Sequence, residues 1–407
     1  MRRLHATNAP TLADAIAEID GRDLRIGDRW LTDFASGNYL GLDIDEEIVD
    51  AIPSYLARWG TQTSARIPTA LHEQLDGELA RLLGTDAILP APTIGHVHAA
   101  AIPALAAGGT VLVDKHANRS LLDGCAIAAA HGATVTTAAA LRPSELEELL
   151  RAGSRATGRP GGASRPCRPR LICVDGVDPL SGEPAPLASL AALAREHEAL
   201  LYVDDAHGFG VLGERAPWEL CGYGTRGNGT AAHLECGWDG LVVAGSLSRA
   251  FSSLVAYVAG PADAIGSLRA ALSPPTLRFG PAPVAALAAA IEGLRANERR
   301  GDRLRERLHL LTARVLARLQ ALGIQTPNRS GFPIVAVSPA QTLSSRQLLA
   351  LLRDRGVYAT SPPSIARHEP ALRLQLSAAH TDEQIEQLER VLSEVVGSFK
   401  LMVASAE

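Results

Sequence analysis

The chain has 407 residues, 46% hydrophobic and 20% charged, enough to bury a sizeable core spread over two or three lobes. A net charge of -5 and a pI near 6.2, with arginines scattered rather than striped, exclude a nucleic-acid footprint and a polyanionic partner. No apolar run is long enough to span a bilayer, Met1 to Asp20 is broken by Asp14 and Glu18 where a signal peptide would be apolar, and five cysteines show no C-x-x-C spacing. These features predict a cytoplasmic protein with no membrane partner, no disulfide frame and no metal.

In chain order, short apolar runs occur at Ala87 to Leu89, Thr110 to Asp114, Ala133 to Thr137, Arg170 to Asp175, Ala199 to Asp204 and Gly240 to Ala244. Each is followed by a polar turn and a helical pattern, which predicts an α/β fold with a mostly parallel sheet and helices on both faces. Two stretches interrupt this alternation. Arg151 to Arg170 is rich in Gly, Pro, Arg and Ser, and Gly222 to Gly237 is rich in Gly and Thr, so both read as surface loops without an active part. Beyond Pro283 the spacing predicts a long helix over Val284 to Leu322, then strands near Pro333 to Val337 and Ala371 to Leu376. The division expected is an N-terminal segment 1–50, a large α/β domain 51–282 and a smaller α/β C-terminal lobe 283–407.

Ligands of open parallel sheets gather at the carboxyl ends of the strands. One predicted strand delivers Asp204-Asp205-Ala206-His207-Gly208, and the next delivers Gly245-Ser246-Leu247-Ser248-Arg249. An acid presented there can hold a cationic ring nitrogen, and hydroxyls with backbone amides in a turn can cradle a phosphate. Either turn alone reads as helix capping or turn chemistry, but the pair predicts a cofactor cleft.

Longer motifs make the pattern specific. Asp33-Phe34-Ala35-Ser36-Gly37-Asn38-Tyr39-Leu40-Gly41-Leu42 stands near the start, His72-Glu73-Gln74-Leu75 follows, then Asp114 with Ser120-Leu121-Leu122-Asp123-Gly124 and Asp175-Gly176-Val177 with Gly182. Val203 to Glu214 and Ser377-Ala378-Ala379-His380-Thr381 complete the series. In this order the chain resembles the α-oxoamine synthases, the family of amino-oxononanoate synthase, aminoketobutyrate ligase, aminolevulinate synthase and serine palmitoyltransferase. The resemblance implies the fold-type I aminotransferase-like architecture of enzymes that use pyridoxal phosphate (PLP).

The family's chemistry needs a lysine for a Schiff base, a ring stacked on the pyridine, an acid on the ring nitrogen and an arginine on the substrate carboxylate. Carried over by resemblance, Asp204 is the acid and His207 the partner of the ring oxygen. The lysine position holds Arg249, whose guanidinium is not a Schiff-base amine. Asn118 stands at the stacking ring, Thr93-Ile94-Gly95 at the phosphate turn, His98 at an asparagine, and Gly280-Pro281 near the hydroxyl pair lent by a neighbouring subunit. Asn38, Tyr39 and Arg373 carry over as substrate contacts, with Ala371 replacing the first arginine of the final Arg-x-Arg.

These departures predict a degenerate site with no covalently bound PLP. The activity expected from the remaining groups is PLP-independent acyl transfer from acyl-CoA or an acyl carrier protein to a small amine or alcohol acceptor. His207, Arg249, Asp204 and His98 would be catalytic, and Asp204, His207, Ser246, Ser248, Asn118 and Thr93 would line the former cofactor cleft. Two alternatives stand beside it: a catalytically silent subunit supporting a lysine-bearing paralogue, and PLP-dependent decarboxylative condensation of an amino acid with an acyl thioester. Because the family builds each site from two chains, the resemblance implies a homodimer.

Overall fold

The computed structural model describes residues 15–63, 69–85, 87–138, 143–156, 170–216, 218–271, 281–337, 345–361 and 372–404. They fall into two compact units. The larger comprises 42–179 and 184–305, and the smaller 1–41, 180–183 and 306–407. The partition therefore falls within the long helix, at Arg305, and joins the N-terminal 41 residues to the C-terminal lobe.

The larger unit is built on seven strands: β4 (Ile88–Ala91), β5 (Thr110–Asp114), β6 (Thr134–Ala138), β7 (Arg170–Asp175), β8 (Ala199–Asp204), β9 (Leu241–Ser246) and β10 (Ala256–Ala259). Their order is β4-β10-β9-β8-β7-β5-β6, with β10 antiparallel to both of its neighbours and the ladders from β9 to β6 parallel. The apolar runs mark these strands to within two or three residues at each end. Strand β10 escapes that reading because Ala-Tyr-Val-Ala is four residues long and buried on both faces, so it shows no alternation.

The helices of this unit are α1 (Glu46–Trp59), α2 (Ala70–Leu83), α3 (Ile94–Ala106), α4 (Arg119–Ala130), α5 (Pro143–Ala156), α6 (Leu187–Glu196), α7 (Thr230–His233) and α8 (Ala262–Ala271). One face of the sheet packs with α3, α4 and α8 around Val111, Tyr202 and Ala244, and the other packs with α5 and α6 around Leu201, Val203 and Val243. Burial of both faces explains why the strands read as continuous apolar runs. Gly124 sets the approach of α4 to α3, since a Cβ there would lie 2.8 Å from the carbonyl oxygen of His98.

The stretch Gly222 to Gly237 corrects the sequence reading. It contains α7, and Tyr223 and Thr230 are fully enclosed at 1% and 0% exposure, so it is part of the packed unit. The other suspected excursion lies outside the described residues from 157 to 169, as do Cys167, Gly280 and Ala371.

In the smaller unit, β1 (Ile16–Asp20), β2 (Asp23–Ile26), β3 (Arg29–Asp33) and β12 (Val357–Tyr358) form one sheet, and β11 (Ile334–Val337) pairs antiparallel with β13 (Leu372–Gln375). Helix α9 (Val284–Ala321) runs through both units, and α10 (Ser345–Asp354) and α11 (Asp382–Ala404) complete the smaller one. Two of the sequence motifs meet here. The His380 ring stacks on Phe34 at 4.3 Å, donates from Nε2 to the Asp33 carbonyl at 2.8 Å and accepts the Ser377 amide at Nδ1. Burial pushes its pKa down to about 4, so this histidine is a neutral structural linker.

Candidate active site at the carboxyl edge of the sheet

The strands β7 and β8 end in register, which sets Asp175 beside Asp204. Asp204 is buried and Asp175 half-buried, and their surroundings differ. Burial would push Asp204 up, yet His98 beside it, the amide N–H of Ala206 and the nearby His207 outweigh burial and hold it below the usual carboxylate range. Asp175 is pushed well above that range by burial and then by the charge of Asp204, although it accepts the Asn118 amide at 2.9 Å. Neighbouring acids driven apart in this way allow one to stay ionised while the other stays protonated.

Asp204 is held at both oxygens. His98 Nε2 lies 2.9 Å from Oδ2, and the Ala206 N–H reaches Oδ1 at 3.0 Å. The other ring nitrogen of His98 lies 2.9 Å from the Tyr202 hydroxyl. Tyr202 and Asp204 are two residues apart and so share one face of β8, the face covered by α3. Tyr202 did not emerge from the sequence because its partner is 104 residues away, though the Tyr-x-Asp spacing on a predicted strand was visible.

On β9, Ser246 is buried, its hydroxyl is 2.9 Å from that of Ser248, and it accepts the Ser248 amide at 3.2 Å. Thr93 caps α3, accepting the His96 amide at its hydroxyl, so the first turn of that helix opens at the end of β4. Asn118 caps α4 by accepting the Ser120 amide, which commits its side chain to the helix start. His207 is buried one turn beyond Asp204.

Arg249 is half-buried at the end of the β9 turn. Asp204 takes its hydrogen bonds from His98 and Ala206, and among the described residues no ion pair joins it to Arg249.

The second acid of the motif has a different office. Asp205 accepts both the backbone N–H (2.9 Å) and the hydroxyl of Thr230 at the start of α7. A Cβ on Gly208 would overlap Thr230 Oγ1 and Asp205 Oδ1. The second half of the long motif is thus a clamp that ties the following loop to the sheet.

Asn38, Tyr39 and Arg373 lie in the smaller unit. Tyr39 is fully buried, edge-on to Phe332 at 5.7 Å, and its amide carbonyl accepts from Ala378. Arg373 lies on β13 opposite Ala336, and its backbone bridges to Thr360. Cys125 and Cys173 are buried neighbours, and burial pushes the Cys173 thiol well up, as befits packing groups. Among the described residues no helix is long and apolar enough to cross a membrane, and no group of His, Cys, Asp and Glu could hold a metal ion.

This chain belongs to the aminotransferase class I and II family, whose model matches residues 30–392. Within it, the 8-amino-7-oxononanoate synthase of Stutzerimonas stutzeri is 31% identical over 382 residues, covering 92% of this chain and 90% of the relative. Among solved structures, a lysine-to-alanine variant of serine palmitoyltransferase from S. paucimobilis with a bound PLP-myriocin aldimine is similar at TM-score 0.79 and 22% identity, covering 94% and 93% of the two chains. A high-resolution structure of SPT with PLP as its internal aldimine is similar at TM-score 0.80 and 22% identity, covering 94% and 92%. Together these establish the α-oxoamine synthase relationship and the fold-type I architecture.

They also correct two expectations. PLP-independent acyl transfer is not where the relatives point, since those matched along nearly the whole chain are named as oxononanoate synthases. The expectation of a site without PLP is overturned with it, by the same relatives named as 8-amino-7-oxononanoate synthases, and two solved structures that share the fold hold PLP. The physical reason lies at Asp204. The substitutions at Arg249 and Asn118 do not remove the site, because the acid that a pyridine nitrogen would meet is intact, held at both oxygens and kept below the usual carboxylate range by the histidines and amide around it.

The residues present fit PLP recognition in part. Asp204, the Ser246 and Ser248 hydroxyls and the start of α3 are donors and acceptors of the right chemistry for a pyridine nitrogen and a phosphate. The covalent anchor is different, because the chain has two lysines, Lys115 and Lys400. Lys115 is exposed after β5, three strands from β9, and Lys400 lies on α11. That scarcity was plain in the sequence and is more telling than the single Arg249.

Proposed function

We propose that the protein is a PLP-dependent α-oxoamine synthase that condenses an amino acid with an acyl thioester on coenzyme A or an acyl carrier protein, acting as a homodimer. The observation that carries the reading is Asp204, held at both oxygens at the carboxyl end of β8, in a chain related along its length to 8-amino-7-oxononanoate synthases. When bound, PLP supplies the electron sink needed by the carbon that loses its carboxylate.

This chain's residues do the rest. Asp204 would face the ring nitrogen and favour its protonated form, and His207 would meet the ring oxygen. Ser246, Ser248 and the amides after Thr93 would take the phosphate. Arg249 offers a fixed cation to an anionic group of the substrate. A guanidinium is not a Schiff-base amine, so the residue at position 249 would hold PLP by charge and not by a covalent bond.

The test measures thiol release and carbon dioxide from a panel of acyl-CoA thioesters and α-amino acids, with and without added PLP. Turnover that requires PLP and the amino acid together supports the reading. Thiol release indifferent to PLP would contradict it. Arg249 also favours one second reading, a silent subunit supporting a lysine-bearing partner. In that case the chain alone would be inactive and its addition would raise the partner's turnover.

A further inference from the structure

We propose that Tyr202 and His98 are positioning residues for Asp204, the phenol fixing the imidazole in the tautomer that directs Nε2–H at the carboxylate. This deepens, and rests on, the reading of Asp204 as the acid for the pyridine nitrogen. Tyr202 Oη is 2.9 Å from His98 Nδ1, and His98 Nε2 is 2.9 Å from Asp204 Oδ2. The three residues are 0%, 0% and 4% exposed.

The direction of each hydrogen bond follows from the phenol. Burial, and then the charge of Asp204, push the Tyr202 pKa well above its ordinary value, so the hydroxyl keeps its proton. In an enclosed site that proton needs an acceptor, and His98 Nδ1 stands in its path. A ring nitrogen that accepts leaves the other to carry the hydrogen. Nε2–H then meets Asp204 Oδ2. The opposite tautomer would set two acceptors face to face in a dry interior, at the cost of an unsatisfied buried group.

The fold makes the alignment rigid. Alternation along β8 puts Tyr202 and Asp204 on one face, α3 brings His98 across them, and the missing side chain at Gly124 lets α4 press α3 into place. With Oδ2 held by His98 and Oδ1 by Ala206, the carboxylate has a defined orientation. Tyr202 does not touch the ligand in this account. It acts through His98.

Histidine-selective 15N labelling of the PLP-free protein reads the tautomer, with the His98 signals assigned by their disappearance in His98→Gln. The expected result is the Nε2–H form in the wild type and a changed ring-nitrogen pattern in Tyr202→Phe. An Nδ1–H form, a doubly protonated ring, or a pattern unmoved by Tyr202→Phe overturns the proposal. A second arm titrates each protein with pyridoxal 5′-phosphate. Tyr202→Phe should bind it roughly 3- to 10-fold more weakly, the loss of one hydrogen bond. His98→Gln, which still offers an N–H to Asp204, should bind it more tightly than His98→Leu. Equal affinity in the wild type and Tyr202→Phe overturns the proposal. A wild type that binds no pyridoxal 5′-phosphate refutes the cofactor reading, while the tautomer measurement still decides what Tyr202 does.

Discussion

Asp204 and Asp205 are consecutive, almost equally buried, and treated in opposite ways by the two faces of one sheet. On the α3 face, Asp204 meets an imidazole, an amide N–H and a second histidine, and its acidity rises despite burial. On the other face, Asp205 meets the amide and hydroxyl of Thr230, which do not offset burial, and its pKa is pushed up to about 7. The amide and hydroxyl of Thr230 thus offset desolvation less than do the two histidines and the amide grouped around Asp204. The difference separates a group available to a ligand from one that clamps a loop.

Breaking the first side should have the largest effect. Asp204→Asn removes the negative charge while keeping the size, and condensation is expected to fall by about 10²-fold or more, on the scale of a lost charge contact in an enclosed active site. The thiol-release assay with PLP checks this, and activity within a factor of three of wild type would count against the role given to Asp204.

Next comes the clamp itself. Gly208→Ala forces a methyl group into Thr230 and Asp205, and such overpacking should destabilise the fold by about 3 kcal/mol. Urea unfolding at equilibrium provides the measurement. An unchanged midpoint would show that the loop is not tied to the sheet as described.

The pH dependence of Asp205 sharpens the contrast. Its folded pKa lies above the ordinary value of 3.8, so its stabilising contribution is complete below that value and is lost as pH rises to about 7. The loss amounts to about 4 kcal/mol if the group ionises fully in place. Asp205→Asn cannot ionise, so the stability gap between wild type and variant should move in the variant's favour between pH 4 and 7. A gap independent of pH would mean that Asp205 is already ionised at acidic pH.

The smallest effect concerns ligand binding by that variant. PLP affinity in Asp205→Asn should stay within about a factor of two of wild type, because Thr230 and its loop lie on the face away from His98. A loss comparable to that in Asp204→Asn would merge the two acids into one site and dissolve the comparison.

Much of this was legible in the chain before any coordinates. Strands β5, β7 and β8 coincide with their apolar runs because both sheet faces are buried and the hydrophobic signal ends where the polar turn begins. The position of Asp204 followed from the same rule. The strands β1 to β3 were not legible, since β1 is exposed along its whole length and carries no core signal. The roles of Tyr202 and Thr230 depend on contacts 104 and 25 residues distant, which no local pattern encodes. The reading of Gly222 to Gly237 as a loose excursion failed for a related reason. Glycines there signal flexibility in the sequence, whereas Asp205 and the enclosed Tyr223 hold the segment in the core. A guanidinium at position 249 is no Schiff-base amine, but that substitution alone does not carry the inference that the cofactor is gone, which the oxononanoate synthase relatives overturn.

The central claim is that the cleft at Asp204 still receives PLP, with its reactive end toward position 249. The most direct measurement is borohydride trapping of the Arg249→Lys variant incubated with PLP, followed by peptide mass spectrometry. The account predicts a near-stoichiometric pyridoxyl adduct at position 249, sharply reduced when Asp204→Asn is added. No adduct at that position, or an adduct confined to Lys115 and Lys400, would contradict it.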